Sequence, residues 1–504
     1  MTLTRSDRWE RWLPWVLFAG ALALRLYRLQ ANPLWLDELY GVQLGRLGFA
    51  AIIGNSWFEP TPPLFHVLAW LGSGFDTARA EWAYRWVSVV AGAATVPLVY
   101  AVARRWAGVW AAALAALALL LSPAHLYYSQ ESRSYGCAAA VAALSTWVLL
   151  TDRLRPPARW RWWAAVTVAG LLLNYAYVMI AGIQAVFMLA LARRQAGGWP
   201  ALAVVAVTVA AIAPWAVSTL PVSAGAFSGE PLRLWSTAQA LTGGELARYG
   251  LTGAHTALAA GLTAAAALGV WGLARRAADP WALYAPAQLL LPLGAFFLAA
   301  GPLVGIQMQL YQSRQFLVLL PAAYATAAAG LALGARWLRR TGPRLGPRLV
   351  TTAGVALLAG LVAACGAGLS RYWSHTKSPE GQAALFVHDH GAADTAVVSL
   401  HYSVDAALSF YAPDAAAYFT KPQRTAGGVV FADALSVQVR DWGHYAYPYA
   451  VADIQAYARR WVIWQQDVSD ALAATLLEGC TPVPGATAEF APFKVTLVEG
   501  CPAP

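Results

Sequence analysis

Three groups of residues in this chain have types and spacing suited to chemistry. The first is a set of carboxylates: Asp37 and Glu38 in Leu34-Trp35-Leu36-Asp37-Glu38, and Glu59 in Phe58-Glu59-Pro60-Thr61-Pro62-Pro63-Leu64. The second is Glu131 with Arg133 in Tyr128-Ser129-Gln130-Glu131-Ser132-Arg133-Ser134-Tyr135. The third is Arg314 in Ser313-Arg314-Gln315, joined by Arg25 and Arg28 after the first apolar stretch. A carboxylate within hydrogen-bond reach of a hydroxyl nucleophile takes its proton as attack proceeds, which is worth ~10²–10⁴-fold. Asp37 is the candidate for that base, with Glu38 beside it. Guanidinium groups pair with phosphate oxygens in a bidentate way. Arg133 and Arg314 are the candidates for that role, with Arg25 and Arg28 behind them.

Each of these residues also has a structural reading. Asp37 and Glu38 suit the first turn of a helix, where acids complement the macrodipole and satisfy unpaired amides. Glu59 suits the start of a proline-led helix. Glu131 and Arg133 make a reasonable ion pair, and Arg314 a snorkelling anchor. His66 reads as a helix-face residue, and Asn174, Tyr175 and Tyr177 as part of an aromatic belt at a helix end. Trp442-Gly443-His444-Tyr445 fits either acceptor recognition or a packed loop.

The elements that must position these residues are membrane elements. The chain is 59% hydrophobic and 12% charged over 504 residues, with a mean hydropathy of +0.49, far from a soluble globular average. Apolar stretches near the ~20 residues that a crossing needs fall at 12–29, 83–103, 107–122, 134–151, 161–176, 177–192, 200–219, 256–274, 281–301, 315–334 and 349–369. The pattern predicts a mainly α polytopic membrane protein with about eleven transmembrane helices. Acids are costly within a bilayer, so carboxylates just beyond the first apolar segment point to work at the membrane surface.

Arginine sets the orientation, because basic residues stay on the cytoplasmic side of short loops. With an inside N-terminus, the inner segments carry eighteen arginines against nine on the outer side up to residue 370. The net charge of +10 is then mostly a topology signal, with some attraction to anionic lipid, and does not suggest nucleic acid. The first apolar segment lacks a small-residue cleavage site and reads as a retained anchor. An odd span count sends the C-terminal tail outside.

After residue 370 the character changes, and all three lysines, Lys377, Lys421 and Lys494, lie there. The pattern predicts a small exoplasmic α/β domain over 370–504, with helices near Glu380–His390, Val404–Tyr411, Val451–Arg459 and Val468–Leu477. Strands are expected at Thr395–Leu400, Trp461–Trp464 and Lys494–Val498. Cys480 and Cys501 fall in this domain, where an oxidising compartment permits a disulfide. Whether they bridge depends on their Cα separation, which spacing does not give. The remaining 1–369 form the transmembrane portion. Its first outer loop, 30–82, is too long for a simple connection and is expected to hold interfacial helices at 39–53 and 64–71.

Taken in order, Arg25-Leu26-Tyr27-Arg28-Leu29, Leu34-Trp35-Leu36-Asp37-Glu38, Pro62-Pro63-Leu64-Phe65-His66, the 128–135 motif and Ser313-Arg314-Gln315-Phe316-Leu317-Val318-Leu319-Leu320-Pro321 resemble the signatures of GT-C membrane glycosyltransferases. The resemblance is to the bacterial branch related to protein O-mannosyltransferases and aminoarabinose lipid A transferases. It implies a GT-C-like catalytic portion in the bacterial inner membrane, with the N-terminus cytoplasmic. It also implies transfer of a sugar from a polyprenyl-phosphate donor to an acceptor glycan, lipid or protein on the exoplasmic side, with inversion. Glu59 resembles the position that helps hold a divalent metal in the lipid A branch, with His66 a secondary candidate. The mannosyltransferase pattern has histidine before Pro-Pro; here Thr61 precedes Pro62-Pro63 and His66 follows three residues after Pro63, which puts metal dependence in question. A transporter or flippase of lipid-linked sugar is the alternative, and would favour ionisable or helix-breaking features near the bilayer midplane.

Overall fold

The computed structural model describes residues 5–55, 61–74, 81–191, 197–225, 252–276, 280–295, 297, 310–340, 346–374, 377–391, 393, 395–425, 428–432 and 449–502. Glu59, the 442–445 cluster and residues 226–251 lie outside them. The chain divides into two compact units: Met1–Arg28, Glu59–Ala69 and Arg85–His375 form the first, and Leu29–Phe58, Trp70–Tyr84 and Thr376–Pro504 the second.

The first unit is helical. Each apolar stretch carries a helix: Arg5–Leu26, Glu81–Ala107, Val109–Leu120, Tyr135–Leu150, Ala158–Leu173, Val178–Leu191, Gly198–Gly225, Thr252–Ala274, Tyr284–Gly294, Leu320–Arg340 and Gly346–Ser374. Among the described residues, four stretches are long and apolar enough to cross a membrane: Glu81–Ala107, Thr256–Ala274, Arg314–Arg340 and Pro347–Asp389. Val109–Leu120 and Pro123–Ser129 add a fifth if that pair, bent by 56°, is one span. The sequence pattern predicts about eleven because it counts every apolar run near the ~20-residue threshold. Several of the helices are shorter, such as the 16-residue Tyr135–Leu150 and the 11-residue Tyr284–Gly294.

Small residues let these helices meet closely. A side chain on Gly269 would meet the Thr326 carbonyl, and one on Gly330 the Ala265 carbonyl, so Thr252–Ala274 and Leu320–Arg340 pack backbone against backbone. Neutral polar groups then tie the bundle. Gln184 donates to the Tyr284 hydroxyl at 2.6 Å and to Ser145 at 2.8 Å, Gln288 donates to Tyr284 at 2.6 Å, and the Trp163 indole donates to Gln184 at 2.7 Å. At the basic end, arginines take up helix-terminal carbonyls as C-caps do. Arg105 donates to Leu150 O at 2.9 Å and Arg159 to Thr151 O at 2.7 Å, while Arg104 pairs with Glu10 at 2.5 Å.

The second unit is an α/β layer around a seven-stranded sheet of order β4-β3-β2-β1-β5-β7-β6. The strands are β1 Ala396–Ser399, β2 Ala417–Thr425, β3 Gly428–Ala432, β4 Tyr449–Ala450, β5 Arg460–Gln465, β6 Thr481–Phe490 and β7 Phe493–Glu499. β2, β1 and β5 are parallel, with Val397 opposite both Tyr418 and Trp461, and the remaining pairs are antiparallel. Central β1 is buried along its whole length, as a strand covered on both faces must be. Val397, Trp461, Ile463, Val495 and Leu497 enter one core, and Ala396, Val398, Val462 and Leu476 the other.

Helices at Pro379–Asp389, Tyr402–Tyr411 and Asp470–Leu477 and the strands β1, β5 and β7 fall where the pattern predicts them. The helix expected over Val451–Arg459 stops at Gln455. There the buried Arg460 donates to the carbonyls of Ile454, Gln455 and Tyr457, and from its other side to Leu476 O. β2, β3, β4 and β6 are additions. β6 carries Pro482, Pro484 and Gly485, which read as loop, and its place at the sheet edge is where proline is tolerated. A disulfide joins Cys480 to Cys501.

Part of the 30–82 segment belongs to this unit. The expected 39–53 helix is two helices, Leu36–Arg46 and Phe49–Asn55, parted at Gly48, whose φ of +84° suits only glycine. Leu39 and Val42 join the core that holds Ala383, Val404 and Tyr411. Gln43 donates to Ser409 at 3.1 Å, and the Arg46 guanidinium lies 4.7 Å from the Phe410 ring centroid.

Two outcomes follow from this packing. Gly330→Leu forces a side chain into a backbone contact and lowers stability by roughly 3 kcal/mol, read as a drop in the thermal midpoint of protein in detergent; a midpoint like wild type's contradicts the close crossing. Alkylation of denatured protein without reductant labels two of the four cysteines, Cys137 and Cys365, and all four after reduction. Four labels without reductant contradict the bridge.

Candidate functional site

The sequence-predicted residues fall into a basic group in the first unit and an acidic group in the second. The basic group is built around the start of helix Tyr135–Leu150. Arg133 lies two residues before that helix and is 5% exposed, and Glu131 is fully buried. Arg314, 9% exposed, comes from the 3₁₀ segment Leu310–Leu319 and places its guanidinium 5.1 Å from the Tyr135 ring centroid. Arg314 thus packs on the first residue of the helix that Arg133 precedes in the chain, at the positive end of its dipole.

The loop carrying Glu131 and Arg133 is held by hydrogen bonds. The Gln130 amide donates to the carbonyls of Arg25 at 2.8 Å and Tyr27 at 2.9 Å, and its oxygen accepts from the Tyr372 hydroxyl at 2.7 Å. Ser88 donates to Arg133 O at 2.9 Å, and Asn174 donates to Ser134 at 3.0 Å. Arg25 is fully buried. It donates to Ala21 O at 3.0 Å and meets His125 Nδ1 at 2.7 Å; arginine has no acceptor, so the imidazole accepts. Arg28 is exposed and takes a left-handed φ of 54° where the first helix ends.

His66, on helix Pro63–Gly72, is buried edge-on to Phe65. Burial first, and then the charge of Arg133, lowers its imidazole to about 3. Among the described residues no three His, Cys, Asp or Glu side chains cluster as a metal site, and a guanidinium beside His66 opposes a cation there. The residues present around His66 do not fit a divalent metal, and Glu59, the other candidate, lies outside the described residues.

The acidic group occupies the first turn of helix Leu36–Arg46. Trp35 is extended before it, and Glu38, fully buried, accepts the Trp35 amide at 3.3 Å. Glu38 therefore does the capping work, as an acid at the third helical position can. Asp37 is half-buried on the same turn. A second helix start meets this one: Glu380 accepts the Leu36 amide at 3.3 Å, and Ser378 donates to Leu34 O at 3.0 Å while accepting Gly381 N at 3.1 Å. Burial raises the Glu380 carboxyl above the usual carboxylate range and the charge of Asp37 adds to this, with hydrogen bonds from its own amide and that of Leu36 opposing. The Tyr411 hydroxyl accepts Leu34 N at 2.7 Å and donates to Glu81 at 3.1 Å.

Sequence reasoning did not single out Glu380. Its context, Ser378-Pro379-Glu380, is a helix-start signature and gives no hint of a partner 344 residues away in the chain. Arg85, 1% exposed near the start of Glu81–Ala107, was also passed over. A cation at the beginning of an otherwise apolar run was the available signal.

Residues 60–217 match the family described as dolichyl-phosphate-mannose-protein mannosyltransferase. No curated protein sequence matches the chain. Among solved structures, ArnT from Cupriavidus metallidurans in the apo state aligns with a TM-score of 0.59 at 16% identity, covering 96% of this chain and 97% of that one. The same protein bound to undecaprenyl phosphate aligns with a TM-score of 0.56 at 17% identity and the same coverage. The archaeal oligosaccharyltransferase AglB from Archaeoglobus fulgidus, in complex with an inhibitory peptide and a dolichol-phosphate, aligns with a TM-score of 0.50 at 10% identity, over 80% of this chain and 63% of that one. The chain thus shares the fold of ArnT over nearly its whole length, and the family match covers part of that fold. Together with the apolar helices they place the chain in a membrane.

Gln130→Leu strands two carbonyls and a hydroxyl that the amide now satisfies, at about 1–3 kcal/mol for each buried group left unpaired. The expected result is a clearly lower thermal midpoint than wild type; an unchanged midpoint means the clamp does not hold the loop.

Proposed function

Starting from the GT-C fold, we propose that this chain transfers a hexosyl or pentosyl group from a polyprenyl-phosphate donor to an acceptor hydroxyl or phosphate at the exoplasmic face of the bacterial inner membrane. The observation that carries this reading is the buried Arg314 guanidinium on the ring of Tyr135, the first residue of the helix that buried Arg133 immediately precedes in the chain. Buried guanidiniums at a helix N-terminus form an electropositive seat suited to a lipid phosphate. Supporting it, ArnT of the same fold has been solved with undecaprenyl phosphate.

In the proposed reaction the acceptor oxygen attacks the sugar C1, and the bond from C1 to the phosphate oxygen breaks. Asp37 takes the acceptor proton when a hydroxyl attacks. The polyprenyl phosphate leaves with its charge held by Arg133 and Arg314, and Glu131, Arg25 and Arg28 support that cationic group. One displacement inverts the anomeric centre. No step is routed through a metal. The transporter reading expects acids at mid-bilayer, whereas the buried groups that tie the helices here are glutamine, tyrosine, serine and tryptophan.

The test is purified protein in liposomes given a polyprenyl-phosphate sugar and candidate acceptors. Wild type turns over; Asp37→Asn loses ~10²–10⁴-fold in kcat, and Arg133→Ala raises the donor KM. Equal turnover by Asp37→Asn overturns the base assignment, and a trapped glycosyl-enzyme adduct overturns inversion. Movement of the donor across the bilayer without transfer to any acceptor supports the transporter instead. For the cation, turnover that survives a chelator removes it from the mechanism. Chelator sensitivity reversed by Mg²⁺ or Mn²⁺ and weakened by Glu59→Gln assigns it to Glu59.

A further inference from the structure

Two helices from opposite ends of the sequence start against each other in the second unit. Leu36–Arg46 presents Asp37 in its first turn, and Pro379–Asp389 presents Glu380 in its own. The Glu380 carboxylate accepts the amide of Leu36, the residue immediately before Asp37. Ser378 holds the carbonyl of Leu34, and the Lys377 amide donates to Asn32 Oδ1 at 3.0 Å. These contacts fix the backbone on which Asp37 rides from the side of the C-terminal segment. They also set the Glu380 carboxyl within range of the charge of Asp37.

We propose that Glu380 is a positioning residue for Asp37, holding the first turn of helix Leu36–Arg46 through the Leu36 amide. The proposal rests on the reading of Asp37 as general base given above. It makes the C-terminal α/β layer a working part of the acid site, because the layer's first helix supplies the anchor. Around the pair lie Glu38 on the helix of Asp37, Lys377 and Tyr411 on the C-terminal segment, and Glu81 through the Tyr411 hydroxyl.

Three variants separate the outcomes. Glu380→Ala removes both anchor and charge, so kcat falls roughly ten- to hundredfold, as misplacement of a reacting group does, with the donor KM unchanged. Glu380→Gln keeps a carbonyl acceptor for the Leu36 amide but not the charge. It recovers most of kcat, again with the donor KM unchanged. Thermal unfolding of each variant normalises rates to folded protein. If both Glu380 variants, folded, show wild-type kcat while Asp37→Asn is inactive, this proposal fails and the base assignment stands. Glu380→Gln as impaired as Glu380→Ala, or a fall in kcat that only tracks the folded fraction, overturns it equally. Wild-type turnover by Asp37→Asn overturns the base assignment and the positioning role with it.

Discussion

Within an apolar surround, a polar group that finds no partner in the protein finds none at all, and this constraint organises the first unit. Gln184, Gln288, Tyr284, Ser145 and Trp163 satisfy one another across helices. The arginines of the basic end take up the carbonyls that end Tyr135–Leu150 and the turn after it. Gln130 closes the other end by joining the exit of the first helix, the Glu131–Arg133 loop and Tyr372. The same constraint makes the buried arginines informative. A guanidinium is expensive to desolvate, and this bundle keeps Arg85, Arg133 and Arg314 nearly inaccessible.

The second unit works by different physics. Its sheet is made of short apolar strands buried on both faces at the centre, with turn-rich edges where proline is tolerated. It also recruits Leu29–Phe58 and Trp70–Tyr84 from early in the sequence. Leu34, Leu39 and Val42 enter its core, and backbone hydrogen bonds from Tyr411, Glu380 and Ser378 fix the strand-to-helix entry at Trp35. In that entry the neighbouring acids divide their labour. Glu38 turns inward and closes the helix end, while Asp37 stays partly open to solvent.

Much of this was legible beforehand. Apolar run length located the helices, because burial or lipid contact over a full turn-by-turn stretch demands it. Alternation and short apolar runs located β1, β5 and β7, and Ser-Pro-Glu announced the helix at residue 379. The hidden strands were those whose sequence speaks for something else. β6 is rich in proline, and β2 carries Lys421, Pro422 and Arg424; each is a strand only because a neighbour supplies its hydrogen bonds. Likewise Gly48 breaks one expected helix into two, a matter of a single positive φ.

The sequence alone determined the membrane class, the basic bias of one set of loops and the residue types able to move a proton or seat a phosphate. Those properties are local: hydropathy, charge and side-chain chemistry belong to each residue wherever it sits. Only the tertiary structure decided that Arg314 meets the helix that Arg133 precedes, that helix Leu36–Arg46 builds on the C-terminal layer, and that Glu380 holds the amide next to Asp37. Such pairings depend on which surfaces close on one another across hundreds of residues, and a contact of that kind leaves no periodicity in the chain.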